Sequence, residues 1–298
     1  GSVGKTTTKE FLYYLLRPRY PAIATSGNLN NHLGVPIMLS RFSPEHRFAV
    51  MELGANHLGE IAFLSGLIKP SGAVLAPIGP AHLEGFGSLE NIYQAKTEIV
   101  DFLGEGAPLV VPAQDEKLLS ILRKIGKKWI AVGFSAGADY RISDLRAEEG
   151  FVKFTLNEKW AFSFPGQAPF LALNAGLAIA MAAQWGIPIG EMPSDWQDVG
   201  FAAGRFRETI LANGIRVIDD SYNASPLAFL RGLEAVERVS CSGKKILVFA
   251  DMLELGPEEL RFHRELGERI SRTRIDSALA YGERSRASIE AVLENSER

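Results

Sequence analysis

Apolar and polar segments alternate along the first half of the chain in a way that predicts strands and helices in turn. Four apolar runs have the length and composition of buried strands, at Arg47–Gly54, Gly72–Gly79, 107–112 and 128–134. Segments with helical spacing separate or follow them, at 6–16, 58–67, 89–103 and 114–125. Strands that alternate with helices of this length predict βαβ units, a mainly parallel sheet and an α/β fold.

The pattern changes after Tyr140. Short alternating segments up to Phe164 predict a small antiparallel annex, and a helix is predicted from Phe170 to Trp185. Prolines and glycines then cluster within Gly186–Gly204, which predicts a domain junction. The βα alternation restarts beyond it, with strands at 214–220, 244–251 and 276–282 and helices at 226–239, 257–271 and 283–294. A second, partial doubly wound domain is therefore expected.

Composition narrows the functional classes. The net charge of −3 and the pI near 6.0 argue against a surface for nucleic acid. No apolar run approaches the ~20 residues that a membrane span requires, so no membrane span is expected. The single cysteine, Cys241, excludes an internal disulfide and fits a reducing cytosol.

The opening residues Gly1–Thr6 have the form of a phosphate-binding loop. In such a loop, backbone N–H groups and the positive end of the next helix hold phosphate oxygens. Lys5 would reach the terminal phosphates and the Thr6 hydroxyl would bind Mg²⁺. Such loops normally follow a buried strand, and none precedes Gly1. A flexible polar terminus is the alternative.

Candidate chemistry also follows the predicted strands. Glu52 lies at a strand end, where open α/β sheets bind ligands and where a carboxylate could hold a metal. His57, His82 and Lys96 come next, and spacing alone assigns them no role. Each of these side chains has an ordinary structural alternative: a solvated strand end, a capping histidine or an exposed helix face.

Two adjacent acids, Asp219 and Asp220, form a second candidate. They end a predicted strand and lead into a turn with Ser221, Asn223 and Pro226. The carboxyl edge of a parallel sheet would again place them near a ligand. An aspartate cap of the helix that begins at Pro226 is the alternative.

Taken together, these stretches resemble the Mur ligases. The similarity rests on "GSVGKTTTKEF", "GNLNNHLGVP", "ELGANHLGEI", "IGPAHLEGFGS", "AKTEI", "DDSYNASP" and "DMLELG", in that order. "ELGANHLGEI" and "DDSYNASP" favour the branch of the family that joins D-alanyl-D-alanine to UDP-MurNAc-tripeptide. The resemblance implies that ATP phosphorylates a carboxylate and that an amine then attacks the acyl phosphate, in peptidoglycan precursor synthesis.

The resemblance also implies a domain arrangement. Residues 1–203 would be the central ATP-binding domain, a P-loop fold that lacks its first strand. Residues 204–298 would be an incomplete Rossmann-like C-terminal domain. The N-terminal domain of the family would be absent, so the chain is expected to be a fragment.

The roles of the site residues follow from the same resemblance. The catalytic set would be Lys5, Glu52, His82 and Lys96. The ATP phosphates would contact Gly1, Gly4, Lys5, Thr6 and Thr7. Thr6 and Glu52 would bind a first Mg²⁺ and His82 a second, and Lys96 would be carbamylated and thereby become a metal partner.

Further residues complete this implied site. Asn174 matches the adenine-contacting asparagine of the family, but Phe170-Leu171 replaces the usual His-Asn pair. Arg205 and Asp220 would reach the nucleotide phosphate and ribose. Asn30, Asn31 and His32 fall in the loop that faces the substrate, with their individual roles open.

Three alternatives remain at this point. A folylpolyglutamate synthase-like ligase would prefer another amine acceptor. A nucleotide-dependent switch would bind Mg-ATP or GTP without acceptor-stimulated turnover. A non-catalytic remnant would fold without activity. The favoured interpretation is a cytoplasmic, monomeric ligase that uses ATP and two Mg²⁺ ions.

Overall fold

The computed structural model describes residues 1–148 and 150–296. The described chain divides into two compact units. The first unit contains Gly1–Ile78 and Glu90–Ala202, and the second contains Gly79–Leu89 and the chain from Ala203. The last two residues of the predicted 204–298 domain lie outside the described residues. The domain boundary itself stays a prediction, and each unit is described separately below.

Helices and strands alternate through most of the chain. The helices are α1 (Lys5–Leu16), α2 (Gly34–Leu39), α3 (Glu60–Ile68), α4 (Leu83–Phe86), α5 (Leu89–Thr97), α6 (Glu116–Lys124), α7 (Leu171–Gln184), α8 (Pro226–Arg238), α9 (Glu259–Ile270) and α10 (Ser285–Ser296). The strands are β1 (Ala22–Ala24), β2 (Phe48–Val50), β3 (Ala73–Val74), β4 (Leu109–Pro112), β5 (Ile130–Gly133), β6 (Tyr140–Glu148), β7 (Phe151–Leu156), β8 (Trp160–Pro165), β9 (Arg207–Ile210), β10 (Arg216–Asp219), β11 (Ile246–Ala250) and β12 (Ser277–Tyr281). Single 3₁₀ turns occur at Glu98–Phe102, Ile189–Glu191 and Gly256–Glu258.

The first unit contains a parallel pair and a larger mixed sheet. β1 and β2 pair in parallel, and six strands follow in the order β3-β4-β5-β6-β7-β8. The pairs from β3 to β6 are parallel, and β6, β7 and β8 are antiparallel neighbours. The α/β fold class and the antiparallel annex after Tyr140 are thereby confirmed.

Helix α7 forms the centre of this unit. Its sequence is rich in alanine and leucine, and every residue from Leu171 to Ala182 is buried. A Cβ on Gly176 would lie 2.9 Å from Val132 Cγ1, which shows how closely the helix approaches the sheet. Small side chains permit this approach, and the burial of apolar surface on all sides stabilises the helix.

A cluster of aromatic side chains packs against α1. Trp196 is fully buried, and its ring lies 5.2 Å from that of Phe11 and 5.8 Å from that of Phe164. The indole Nε1 donates to Pro193 O at 2.7 Å, so its polar atom is satisfied. Most of the predicted junction, Gly186–Gly204, therefore packs onto the first unit and is not a free linker.

The second unit has two two-stranded sheets. β11 and β12 are parallel, as the βα pattern predicts, and α9 supplies Phe262, Leu266 and Ile270 to the core beside them. β10 pairs with β9 in an antiparallel arrangement. Asp219 is therefore the last residue of an antiparallel hairpin strand and Asp220 follows it, whereas the sequence predicted the edge of a parallel sheet.

The helix-cap alternative for these two aspartates is also wrong. Ser225 is the N-cap of α8, and its Oγ accepts the Ala228 N–H at 3.4 Å. Pro226 occupies the first turn, where its missing N–H removes no helical hydrogen bond. The carboxylates of Asp219 and Asp220 are thus left for other contacts.

Membrane insertion finds no support in the helices of either unit. Over residues 1–148 and 150–296, none combines the length and the apolar character that a bilayer span requires.

Candidate active site

The segment Gly1–Lys5 forms a loop that leads directly into α1. The N–H groups of Ser2 and Val3 donate to Pro77 O at 2.8 and 3.1 Å, which ties the loop to the segment after β3. Gly4 has a φ of 82°, a left-handed conformation that glycine adopts without strain. The sequence thus folds here as a tight glycine turn that ends at a helix N-terminus.

The first turn of α1 carries the donors expected of a phosphate site. The N–H groups of Thr6 and Thr7 lie in the first turn of α1, where an α-helix provides no acceptor of its own for its N–H groups. The helix dipole adds positive potential at the same end. Lys5 Nζ donates to Ser2 O at 3.1 Å, so its ammonium folds back over the loop. This geometry can bind an anion.

Glu52 is a buried carboxylate with one unsatisfied oxygen. Only 6% of the residue is exposed. Its N–H donates to Thr25 Oγ1 at 2.8 Å, and its Oε1 accepts from Asn30 Nδ2 at 2.8 Å. Its Oε2 is buried and has no hydrogen-bond partner among the described residues. Buried charges are normally paired or bound to a metal, so this oxygen calls for a cation.

Lys96 on α5 is also buried, with 4% of the residue exposed. Its Nζ donates to the Ala55 carbonyl at 3.0 Å. Burial and, to a smaller extent, the nearby charge of Lys5 lower the pKa of Lys96 to about 7, although the charges of Glu60 and Glu98 act in the opposite direction. About half of the side chains are therefore neutral amines at pH 7.

A cavity of about 310 Å³ connects these groups. Lys5, Glu52 and Lys96 all contribute to its lining, together with Gly1 and Lys9. Much of the remaining lining comes from residues 47–53 and 70–76. The expectation of a further strand beside the loop stays a prediction. Lys5, Lys96 and the Glu52 carboxylate, which are distant in sequence, therefore line the same cavity.

Asn174 approaches the loop from α7. It is 2% exposed, and a Cβ on Gly4 would lie 2.5 Å from its Oδ1. That oxygen has no hydrogen-bond partner among the described residues. Leu171, in place of the family asparagine, is buried in the core, and Phe170 is the N-cap of α7. The amide of Asn174 is thus held against the glycine turn, and its adenine contact stays a prediction.

His82, Arg205 and Asp220 lie in the second unit. His82 has a φ of 55° and precedes α4, and its Nδ1 contacts a carboxylate oxygen of Glu254. Glu84 N also donates to the Glu254 carbonyl at 3.0 Å. The motif "DMLELG" therefore supplies a partner that orients the imidazole. His57, the weaker candidate, contacts Glu60 on the exposed surface of the first unit.

Arg205 and Asp220 lie near each other in the second unit. The Arg205 guanidinium is 4.1 Å from the centre of the Tyr222 ring, a cation–π contact. Asp220 Oδ1 accepts the Phe206 N–H at 3.1 Å. Partial burial of the carboxylate raises the pKa of Asp220 to about 6, although the residue keeps substantial contact with solvent. Hydrogen bonds from Ser221 lower the pKa of Asp219.

Sequence reasoning missed the groups that hold Glu52 and His82 in place. Asn30 was named as one of three open candidates, whereas Thr25 and Glu254 were assigned nothing. Asn30 and Glu52 are 22 residues apart, and His82 and Glu254 are 172 apart. A single sequence carries no signal for such pairs, apart from their occurrence within quoted motifs.

Glu52 offers Mg²⁺ one carboxylate oxygen that is without a partner among the described residues. Residues 1–148 and 150–296 contain no cluster of three or more His, Cys, Asp or Glu side chains that would form a complete metal cage. Mg²⁺ commonly binds one or two carboxylates and completes its shell with water and substrate phosphates. The unsatisfied Oε2 of Glu52, beside a phosphate-type loop, fits that mode of binding.

Comparison with known proteins agrees with this geometry. The family model "Mur ligase middle domain" matches residues 1–182, and "Mur ligase, glutamate ligase domain" matches residues 204–297. The UDP-N-acetylmuramoyl-tripeptide–D-alanyl-D-alanine ligase of Bacillus subtilis is 34% identical over 299 residues, which are 100% of this chain and 65% of that protein. The chain thus spans about two thirds of the length of that relative.

Solved structures give the same result. MurF from Acinetobacter baumannii matches with a TM-score of 0.90 and 32% identity, over 98% of this chain and 64% of that one. MurF from Thermotoga maritima, solved in complex with ADP, matches with a TM-score of 0.83 and 28% identity, over 99% of this chain and 77% of that one. With one family model covering more than half of the sequence, the chain belongs to the Mur ligase family.

Proposed function

We propose that this chain provides the ATP-handling part of an ATP-dependent ligase that joins D-alanyl-D-alanine to UDP-N-acetylmuramoyl-tripeptide. The main support for this proposal is the buried carboxylate of Glu52, whose Oε2 lacks a partner among the described residues. Glu52 lines the same cavity as Lys5 and Lys96. The similarity to the Bacillus subtilis ligase supports the choice of substrates.

The phosphate loop and Glu52 would act on the nucleotide. The first-turn N–H groups of α1 and the Lys5 ammonium would hold phosphate oxygens, and Thr6 and Glu52 would bind Mg²⁺. When bound, Mg²⁺ would neutralise negative charge on the phosphates. Fixed donors in a buried site stabilise the transferring phosphoryl group because they need no reorganisation during the reaction.

Lys96 would take part as a carbamate. The Lys96 ammonium first loses a proton to water, and the neutral amine then attacks CO₂. A C–N bond forms, one C=O π bond becomes the carboxylate C–O⁻, and the nitrogen releases a second proton, so that a cation becomes an anion with the loss of two protons. The lowered pKa of Lys96 favours this reaction because protonated amines are not nucleophiles. The product would remove the repulsion between Lys96 and Lys5 and would offer oxygen atoms to Mg²⁺.

Residues of the second unit are also proposed to act on the nucleotide and its metal. His82, held by Glu254, would bind a second Mg²⁺, and Arg205 and Asp220 would contact the nucleotide phosphate and ribose. Asn174 would contact adenine, although its present position against Gly4 equally supports a role in holding the loop.

The proposed chemistry has two steps. The peptide carboxylate oxygen attacks the terminal phosphorus of ATP and ADP leaves, which gives an acyl phosphate. The amine of D-alanyl-D-alanine then attacks the acyl carbon, and phosphate leaves as the amide forms and a proton is lost. The protein is proposed to act as a monomer in the cytoplasm.

A chimeric enzyme tests this proposal. This chain would replace the matching residues of the Bacillus subtilis ligase, and phosphate release from Mg-ATP would be followed with UDP-N-acetylmuramoyl-tripeptide. Release that depends on D-alanyl-D-alanine, with the pentapeptide product identified by mass spectrometry, is the expected result. A chimera that folds and binds nucleotide but releases no phosphate would favour the alternative that this chain is a non-catalytic remnant.

Other outcomes identify the remaining alternatives. Release stimulated by glutamate and not by the dipeptide would favour a folylpolyglutamate synthase-like ligase. Hydrolysis of ATP or GTP that is indifferent to any amine would favour a nucleotide switch. In either case the proposed acceptor is wrong, although the phosphate-site geometry stands.

A further inference from the structure

Asn30 contacts the segment around Glu52 through both its side chain and its backbone. Its Nδ2 donates to Glu52 Oε1 at 2.8 Å, and its carbonyl accepts the Gly54 N–H at 2.8 Å. A Cβ on Gly54 would lie 3.1 Å from the Asn30 side chain, so the two segments are in close contact. Asn30 is therefore bound to the Glu52 segment at two points and is only partly exposed.

These contacts fix the position of the Glu52 carboxylate. Its backbone N–H is bound by Thr25 Oγ1, and Oε1 is occupied by the Asn30 amide. Only Oε2 is left without a partner among the described residues, and Glu52 lines the cavity that also contains Lys5. A carboxylate held at one oxygen keeps the other in a defined position for a ligand.

The neighbours of Asn30 have different positions. Asn31 Oδ1 accepts the N–H groups of Leu33 and Gly34 at 3.1 and 2.9 Å, so its side chain stabilises the start of α2. His32 and Asn28 are exposed. Of the three candidates in this loop, Asn30 alone is bound to Glu52 in the described structure.

We propose that Asn30 is a positioning residue for the metal–nucleotide site, which it serves by holding Glu52 Oε1 so that Oε2 stays available to Mg²⁺. The inference rests on the proposed function, since it needs Glu52 to meet a metal-bound nucleotide. Residues that orient metal ligands typically contribute 10- to 100-fold in metal affinity. An amide suits this role because it donates to the carboxylate without adding charge.

The test compares two alanine substitutions in the same loop of this chain. The Kd for the β,γ-imido analogue of ATP is measured with saturating Mg²⁺ and with EDTA. The Kd in EDTA divided by the Kd with Mg²⁺ gives the ratio by which the metal strengthens binding. Asn30→Ala is expected to reduce that ratio about tenfold or more and to leave the Kd in EDTA within about twofold. Asn28→Ala, an exposed asparagine two residues away, is the matched control and should change neither value.

Glu52→Gln provides a second, independent reading. If Asn30 acts through Glu52, adding Asn30→Ala to Glu52→Gln should reduce the Mg²⁺ ratio no further, because the affected carboxylate is already gone. Thermal unfolding of each variant shows whether it is folded. A well-folded Asn30→Ala chain that keeps the full ratio overturns the inference.

A merely structural role gives a different result. In that case both Kd values rise together for Asn30→Ala and the ratio stays constant, which also overturns the inference. If the unmodified chain itself shows no Mg²⁺-dependent binding, the proposed function has failed, and the inference fails with it. The behaviour of the unmodified chain therefore separates the two failures.

Discussion

Carbamylation of Lys96 is the prediction that follows most directly from the burial of this side chain. Lys96 is 4% exposed, its Nζ has a carbonyl partner at 3.0 Å, and its pKa falls from 10.5 to about 7. A lysine with a pKa of 10.5 is neutral in roughly one molecule of 3,000 at pH 7. At a pKa of about 7, half of the molecules are neutral, an increase on the order of a thousandfold.

The assay follows the modification itself. The chain is equilibrated with ¹³C-labelled bicarbonate, and the carbamate carbon is observed by NMR between pH 6 and 9. We expect one carbamate signal that is absent from Lys96→Met. It should weaken below about pH 7, because the amine becomes protonated there.

Lys9 offers the matched control. It is equally buried, at 5% exposed, but its Nζ is bound to Thr25 O and paired with Glu10. Lys9→Met should therefore retain the signal. A spectrum without any signal that depends on Lys96, in a chain that is folded, would refute the reasoning from burial.

Two further predictions concern the stability of the fold. Asp220 has a pKa raised from 3.8 to about 6, so between about pH 4 and 6 the folded chain holds a proton that the unfolded chain has lost. The free energy of unfolding, measured in urea, should therefore fall as the pH rises from about 4 to 6. The decrease should be small because the Asp220 side chain is partly solvated. Asp220→Asn should remove that slope, and an unchanged slope would contradict the assignment. Trp196→Ala should cost about 3–5 kcal/mol in the free energy of unfolding, because the fully buried ring packs against Phe11 and Phe164. A loss below about 1 kcal/mol in urea titrations would show that this cluster contributes little to stability.

Elements with strong local patterns were predictable from sequence. Helix α6 was expected at Gln114–Ile125 and occurs at Glu116–Lys124, where Asp115 caps it by accepting the Leu118 N–H. The antiparallel annex was also expected, because period-two alternation is unambiguous in strands of six residues or more. Local chemistry decides such elements, so one sequence is sufficient to find them.

Short elements and tertiary pairs were not predictable in the same way. β1 has only three residues, and β9 is mostly exposed, so neither shows a periodicity that could identify it. The predicted strand at Arg47–Gly54 narrows to Phe48–Val50, which leaves Glu52 in the loop beyond it. The contact between Asn30 and Glu52 exists only because β1 and β2 pair in parallel and bring their following loops together.

The most direct test of the account is to count the metal ions that Glu52 holds. Mn²⁺ can replace Mg²⁺, and electron paramagnetic resonance measures how much Mn²⁺ is bound when the chain is saturated with the β,γ-imido analogue of ATP. The account predicts a bound ion in the unmodified chain and in Glu116→Gln, a change at an exposed ion pair, and a loss of at least tenfold in Mn²⁺ affinity in Glu52→Gln. Equal Mn²⁺ binding by Glu52→Gln and the unmodified chain would contradict the claim that this buried carboxylate is the metal ligand.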